Sequence, residues 1–495
     1  MKWLLCLAAL TVQHAALAAE PRAAGKGHAM QVHKPVDVKA AETAARAREA
    51  TLQAEDAKLR LVGVLPFGAG VVEHWQLANG LQVLLAADAQ VPVVAVQSWL
   101  AVGSADEAGG KTGLAHLFEH LMFKSTQTRP AGTLDRVLEQ MGGSANAATS
   151  LDYTFFQETV PSTHVPVVLE MEADRLVNLD LTAAAFRSEL SVVRNERREV
   201  VDNDPDGQID ETLSTLAWGP HPYGHPVIGT ESDLAGLNVA DARQFYQTHY
   251  AASQTLVVLV GGFEPGALLR EVVKHYAALP QAPAPQRPKA ALPTGAVQRA
   301  LAIDAGAERL AVAWRLPPGD HADMAALDVL TELLANGDST RLAQVLLFDK
   351  PIASHASADL NDSRLGSLLH IHVTLLPGQL AKEALARVDA AIKALNGAQP
   401  VTEAELSAAK NRLKMAHFSA LTSVDGRAEQ LGHFLTGYGS LQPLLRFSAD
   451  VEAVTVADVR RVAQKYLVAD QRIVVLGEMA PPKVAGKRRG TRTRG

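Results

Sequence analysis

The sequence predicts an α+β protein assembled from two copies of one unit. Runs rich in β-branched residues interleave with helical stretches along most of the 495 residues. Residues 239–259 (VADARQFYQTHYAASQTLVVL) align without gaps on 456–476 (VADVRRVAQKYLVADQRIVVL) at an offset of 217, with 10 identities in 21 positions. Each copy reads as a helix opened near an Asp cap and leading into an apolar strand. Between the copies, LPQAPAPQRPKAALP is dense in proline and reads as a semi-rigid linker.

Residues 1–19 place Lys2 before an apolar run of about ten residues, then small residues up to Ala18 and Ala19, the layout of a cleavable secretory signal. The run is too short to span a bilayer. Cys6, the one cysteine, lies inside it, so the mature chain has neither disulfides nor thiol chemistry. The expectation is an exported, periplasmic protein with no transmembrane segment. Residues 20–60 form a polar, partly helical lead-in. Strand patterning begins at Val72, with a turn at Asn79-Gly80, and residues 61–278 form the first domain. Residues 279–294 are the linker, 295–480 the second domain, and 481–495 a basic tail holding six Lys or Arg and no acid. The net charge of −6 therefore hides a body at −12, which argues against a nucleic-acid partner. Hydrophobic residues at 47 % and charged residues at 20 % exclude a disordered or multi-span membrane chain.

The sharpest local feature is His116-Leu117-Phe118-Glu119-His120. On a helix, residues four apart share a face, so both imidazoles can reach one metal ion with Glu119 beside them. A zinc ion needs a third protein ligand, and Glu189 and Glu196 lie seven apart on one face of a second predicted helix.

Three stretches then carry a family resemblance: GSADEAGGKTGLAHLFEHLMFKST (103–126), GGSANAATSLDYTFF (142–156) and FRSELSVVRNERREV (186–200). The chain resembles the inverzincin metallopeptidases related to pitrilysin, insulin-degrading enzyme and the mitochondrial processing peptidase, over about residues 60–480. The resemblance implies two homologous domains, each a mainly antiparallel sheet with helices packed on one face. It implies one Zn²⁺ per chain held by His116, His120 and Glu196, with Glu119 as general base and Glu189 supporting the site. It places Ala145, Asn146 and Ala147 on an edge strand where an extended peptide adds as a further strand. The function implied is a zinc-dependent endopeptidase. A non-catalytic assembly or binding subunit of the same fold is the alternative, against which the intact His116, Glu119, His120 and Glu196 argue.

The second half departs from the family. Active members carry an Arg and, seven residues later, a Tyr that help hold the substrate backbone, and those positions fall here on Leu347 and Ser354. In the two-subunit branch a homologous partner supplies the missing pair. The expectation is the zinc-bearing subunit of a heterodimer, in preference to a homodimer. Other motifs read as structural. Asp202-Asn203-Asp204-Pro205-Asp206-Gly207 mimics a calcium loop, but its twelfth position is Leu213. His221 and His225 sit in a Pro/Gly-rich loop. His370 and His372 alternate on a strand and read as a packed or surface face.

Overall fold

The computed structural model describes residues 36–480 except 56, 282, 396 and 398. The expected signal segment, the start of the lead-in and the basic tail lie outside the described residues. In the first half, β1 (Leu59–Phe67), β2 (Gly70–Leu77), β3 (Gln82–Ala87), β4 (Val93–Leu100), β5 (Ser144–Thr149), β6 (Thr154–Pro161) and β7 (Thr255–Gly261) form one sheet. Its order is β1-β2-β3-β7-β4-β6-β5, antiparallel except between β3 and β7. The Asn79-Gly80 turn joins β2 to β3. Gly80 stands at φ +93°, the left-handed region that such a turn demands and that side chains resist. Strand structure starts at Leu59, ahead of the alternation seen from Val72.

The second half holds β8 (Val297–Ile303), β9 (Arg309–Leu316), β10 (Ala353–Asn361), β11 (Ser367–Leu375) and β12 (Arg472–Met479), in the order β10-β11-β9-β12-β8. Only β8 and β12 are parallel. This is the first sheet without its β1–β2 extension.

Among the described residues, the helices of the first half are α1 (Val38–Ala54), α2 (Leu114–Leu121), α3 (Thr133–Met141), α4 (Val165–Asn178), α5 (Ala183–Arg197), α6 (Pro205–Trp218), α7 (Glu231–Gly236), α8 (Val239–His249) and α9 (Pro265–Tyr276). The second half has α10 (Met324–Ala335), α11 (Arg341–Ala343), α12 (Ala381–Leu395), α13 (Glu403–Ala420), α14 (Val424–Tyr438), α15 (Gln442–Ala453) and α16 (Val456–Tyr466). The repeated segments become α8 with β7 and α16 with β12. Each helix opens on a capping box, Asn238 with Asp241 and Thr455 with Asp458. The repeated aspartate is thus the third helical residue rather than the cap itself.

One face of the first sheet packs on α1, α4 and α9, through Leu52, Val168, Leu169, Leu269 and Val272 against Val83, Leu85 and Val96. Its opposite face is covered by the other half. Val424, Ala428 and Leu431 of α14 and Leu444 of α15 pack on Leu84, Trp99, Phe155 and Val258. Reciprocally, Ile209, Leu213, Ala217 and Trp218 of α6 pack on Ala311, Ala313, Ile473 and Val475 of the second sheet. The other face of that sheet carries α10, α12, α13 and α16. β4 and β7 are therefore buried almost continuously, as expected where a sheet is covered on both faces. The linker is tied down as well. Arg287 reaches the Asp106 carboxylate at 3.3 Å and donates to the Asp152 carbonyl.

Candidate metal centre

Helix α2 starts at Gly113, at φ +93°, where a Cβ would meet the Ile228 carbonyl and the Leu234 side chain at 2.7 Å. The fully buried Glu107 carboxylate accepts hydrogen bonds from the amides of Gly113 (2.9 Å) and Ala115 (2.7 Å), satisfying donors that the helix start leaves free. Leu114, Leu117, Phe118 and Leu121 bury one side of α2. The remaining face presents His116, Glu119 and His120 towards α5 and β5.

Helix α5 is capped by Thr182, which accepts from the Ala185 amide at 3.1 Å. Beyond Arg197 it widens into a π-turn, Arg198–Asp202. Arg197, next to Glu196, is clamped by Glu211 at 2.8 Å and by the Gly229 carbonyl at 2.8 Å, which fixes the end of the helix.

His116, His120 and Glu196 come together, with one ligand atom from each lying within 4.8 Å of the others. His120 Nε2 is 3.4 Å from Glu196 Oε2, and His116 Nε2 is 3.9 Å from Glu196 Oε1. Ligands about 2.1 Å from a tetrahedral zinc ion stand about 3.4 Å apart, so the donor set fits zinc with little movement. Burial pushes the His116 imidazole down to about 4, leaving it neutral with a lone pair to give. Burial also opposes a proton on His120, but the hydrogen bond and charge of Glu196 outweigh it and raise that imidazole. Glu196 is lowered in turn, because His120 and His116 outweigh its own desolvation.

Glu119 lies beside the cluster with Oε2 accepting from the Thr149 hydroxyl at 2.6 Å. Burial raises its carboxyl above the ordinary value, against the opposing hydrogen bond from Thr149. Glu189 sits behind His120, 4.0 Å from Nδ1, and is paired with Lys124 at 2.8 Å. Asn146, Ala145 and Ala147 lie on β5, the edge strand of the sheet. All three line a cleft of about 1470 Å³ together with Glu119, His120, Glu189 and Glu196. Asn361, Ser363 and Leu368 of the second half close it from the other side.

The structure adds three residues that motif reading passed over. Thr149, Lys124 and Glu107 all fall inside the stretches that carry the resemblance. Only their contacts reveal that they hold Glu119, Glu189 and the start of α2. The imitation calcium loop is spent on structure, since Asp204 caps α6 and Asp206 pairs with Arg309. His221 lies against Trp218, with ring centroids 5.0 Å apart, and accepts from the Tyr223 amide. Leu347 packs against the core of the second half, and Ser354 bonds the Thr374 carbonyl across β10 and β11.

Two repeated α+β halves around a cleft, with an H-x-x-E-H helix facing a glutamate helix, are the arrangement that the inverzincin class of metallopeptidases is built on. Residues 82–231 match the model of Insulinase (Peptidase family M16), and residues 236–413 match that of the Peptidase M16 inactive domain. The chain belongs to the M16 peptidase family. It is 29 % identical to the zinc protease PqqE of Helicobacter pylori over 411 residues, covering 81 % of this chain and 92 % of that one. It is 27 % identical to the mitochondrial-processing peptidase subunit beta of Lentinula edodes, over 79 % of this chain and 86 % of that one. The crystal structure of a protease from Helicobacter pylori superposes with a TM-score of 0.79 at 29 % identity, covering 83 % of this chain and 99 % of that chain. Among the described residues, no helix is long and apolar enough to cross a membrane.

Proposed function

We propose that the protein is an exported, periplasmic zinc endopeptidase acting on peptides or unfolded polypeptide segments, and that it works as the zinc-bearing subunit of a heterodimer. The observation that carries the reading is the convergence of His116, His120 and Glu196 beside a buried Glu119 at the wall of a cleft bordered by an open strand edge. Zinc, when bound there, lowers the pKa of its water towards 7 and polarises the peptide carbonyl. Glu119, fixed by Thr149, is placed to take the water proton and pass it to the leaving amine. Its raised pKa brings it closer to neutrality, where transfer in both directions is efficient. Glu189 faces the far side of His120 at 4.0 Å, where a closer approach would give the orienting hydrogen bond that ligating imidazoles require. The backbone of Ala145, Asn146 and Ala147 offers an extended substrate a strand to pair with, independent of its sequence. Nine carboxylates line the cleft; Glu189, Glu211 and Asp206 are paired with Lys124, Arg197 and Arg309 and Asp204 caps α6, and the remaining surplus of negative charge favours segments carrying Lys or Arg.

The heterodimer rests on Leu347 and Ser354, which supply neither a guanidinium nor a phenol. A relative bearing the name of one subunit of a processing peptidase supports it. Export rests on residues 1–19. The test is cleavage of a quenched peptide by the metal-loaded chain, alone and with a homologue that has the Arg/Tyr pair. Weak activity alone and a large gain with the partner are expected. Full activity of the single chain removes the heterodimer, and an unchanged rate in zinc-loaded Glu119→Gln removes the mechanism.

A further inference from the structure

A second pair of histidines lies as close together as the first. His370 and His372 lie two apart on β11, so both project from one face of the sheet. That face also bears Leu368, which packs with Ile209, Leu213 and Trp218 of α6. The two rings are 4.9 Å apart at 87°, close to the 5.0 Å and 71° of His116 and His120. A carboxylate approaches from a facing helix in both places. Asp210 Oδ1 of α6 is 3.4 Å from His372 Nδ1, as Glu196 of α5 is 3.4 Å from His120 Nε2. On the neighbouring edge strand β10, Asp359 stands directly opposite His370 in register.

His370 itself is the anomaly. Both its ring nitrogens are buried and neither has a hydrogen-bond partner. Leaving such a group unsatisfied is costly, and natural folds rarely carry the cost without a use for it.

We propose that His370, His372 and Asp210 hold a divalent transition-metal ion between the second sheet and α6, with Asp359 alongside as a further oxygen donor. Two imidazoles with carboxylates suit Zn²⁺, Co²⁺ or Ni²⁺, whereas Ca²⁺ and Mg²⁺ call for oxygen alone. The three donors do not converge within the 4.8 Å span that joins His116, His120 and Glu196. Binding therefore includes a turn of the Asp210 side chain, which is 61 % exposed and has room to move. Asp210 also lines the cleft, which gives the ion its route in. Because α6 belongs to the first half and β11 to the second, the ion clamps the halves together beside the cleft.

The full chain is stripped with a chelator, titrated with Zn²⁺, and its bound metal counted after gel filtration. Two equivalents per chain are expected. His116→Ala/His120→Ala keeps one, and His370→Asn/His372→Asn keeps one, the two variants losing different sites. Zinc should still raise the melting temperature of His116→Ala/His120→Ala, and Co²⁺ bound to that variant should show the absorption bands of imidazole ligation. A single equivalent in the wild type overturns the proposal, as does a second equivalent that survives His370→Asn/His372→Asn. If that variant does not fold, Asp210→Asn at the exposed carboxylate decides. It should weaken the second equivalent by about tenfold or more, and unchanged affinity overturns the assignment.

Discussion

The two halves share one scaffold and differ in what they place between the corresponding helices. In the first, α2 and α5 meet through His116, His120, Glu189 and Glu196. In the second, α10 and α13 meet through Leu330, Leu334, Leu406 and Ala409, with Leu413 packed against the same cluster. Leu406 and Leu413 are seven apart, as are Glu189 and Glu196. The apolar version needs nothing more, because burial of each leucine contributes about 2 kcal/mol unaided. The polar version must offset desolvation, and it does so with Glu107 under the α2 amides, Thr149 on Glu119 and Lys124 on Glu189. The same pair of helices is a core in one half and a candidate metal centre in the other.

The largest effect should come from giving the first half the chemistry of the second. Glu196→Leu should abolish zinc binding between α2 and α5 and reduce peptide cleavage to background while the fold persists, as read by metal content, rate and circular dichroism. Zinc retained at one equivalent after chelator treatment and reloading of a chain also carrying His370→Asn/His372→Asn would show that Glu196 is no ligand. Next comes Glu119→Gln, which should keep zinc and lower kcat by about 10²–10⁴.

Smaller effects test the reciprocal cover. A Cβ at Gly432 of α14 would sit 2.0 Å from the Trp99 ring, which is held in place by stacking on Phe155 at 4.2 Å. Gly432→Ala should destabilise the protein by about 1–3 kcal/mol in denaturant unfolding, without loss of zinc. Wild-type stability would mean that α14 does not dock on the first sheet as described.

The smallest effect is a pH dependence. Tyr153 of the first half meets His433 Nδ1 on α14 at 2.9 Å, and His433 Nε2 faces Asp362 at 3.5 Å. Burial disfavours the charged imidazole, but the hydrogen bond and charge of Asp362, helped by Glu429, prevail and raise its pKa. A histidine raised by folding contributes stability that is complete below its unfolded value of about 6.5 and is lost as pH rises through the folded value. The unfolding free energy should therefore decline from about pH 6 upwards, by less than about 1 kcal/mol at this partly wet contact. His433→Gln should flatten that decline, and an identical slope in the variant would acquit the pair.

Legibility followed the range of the interactions. The histidine and glutamate spacings were readable because a helix turns 3.6 residues at a time, so i and i+4 or i and i+7 share a face whatever surrounds them. The repeat was readable from 239–259 and 456–476 alone, and the structure returns it as α8–β7 and α16–β12. Thr149 was not readable as the partner of Glu119. Thirty positions separate them, and many hydroxyls in the chain could have filled the place. His370 and His372 read as a packed or surface face because the pattern shows alternation but not that the nitrogens of His370 lack partners.

By itself, then, the sequence determined the two-fold α+β plan, the interleaving of its elements and the residues capable of holding a metal, since these depend on periodicity and side-chain chemistry. Tertiary structure alone decided that each half lends a helix, α14 or α6, to the open face of the other's sheet, and that the cleft lies between them. It also decided which neighbours shift Glu119 and His116. The physical reason is that burial and hydrogen bonding are settled by groups far apart in the chain, and nothing in local spacing says which distant apolar face or hydroxyl will arrive.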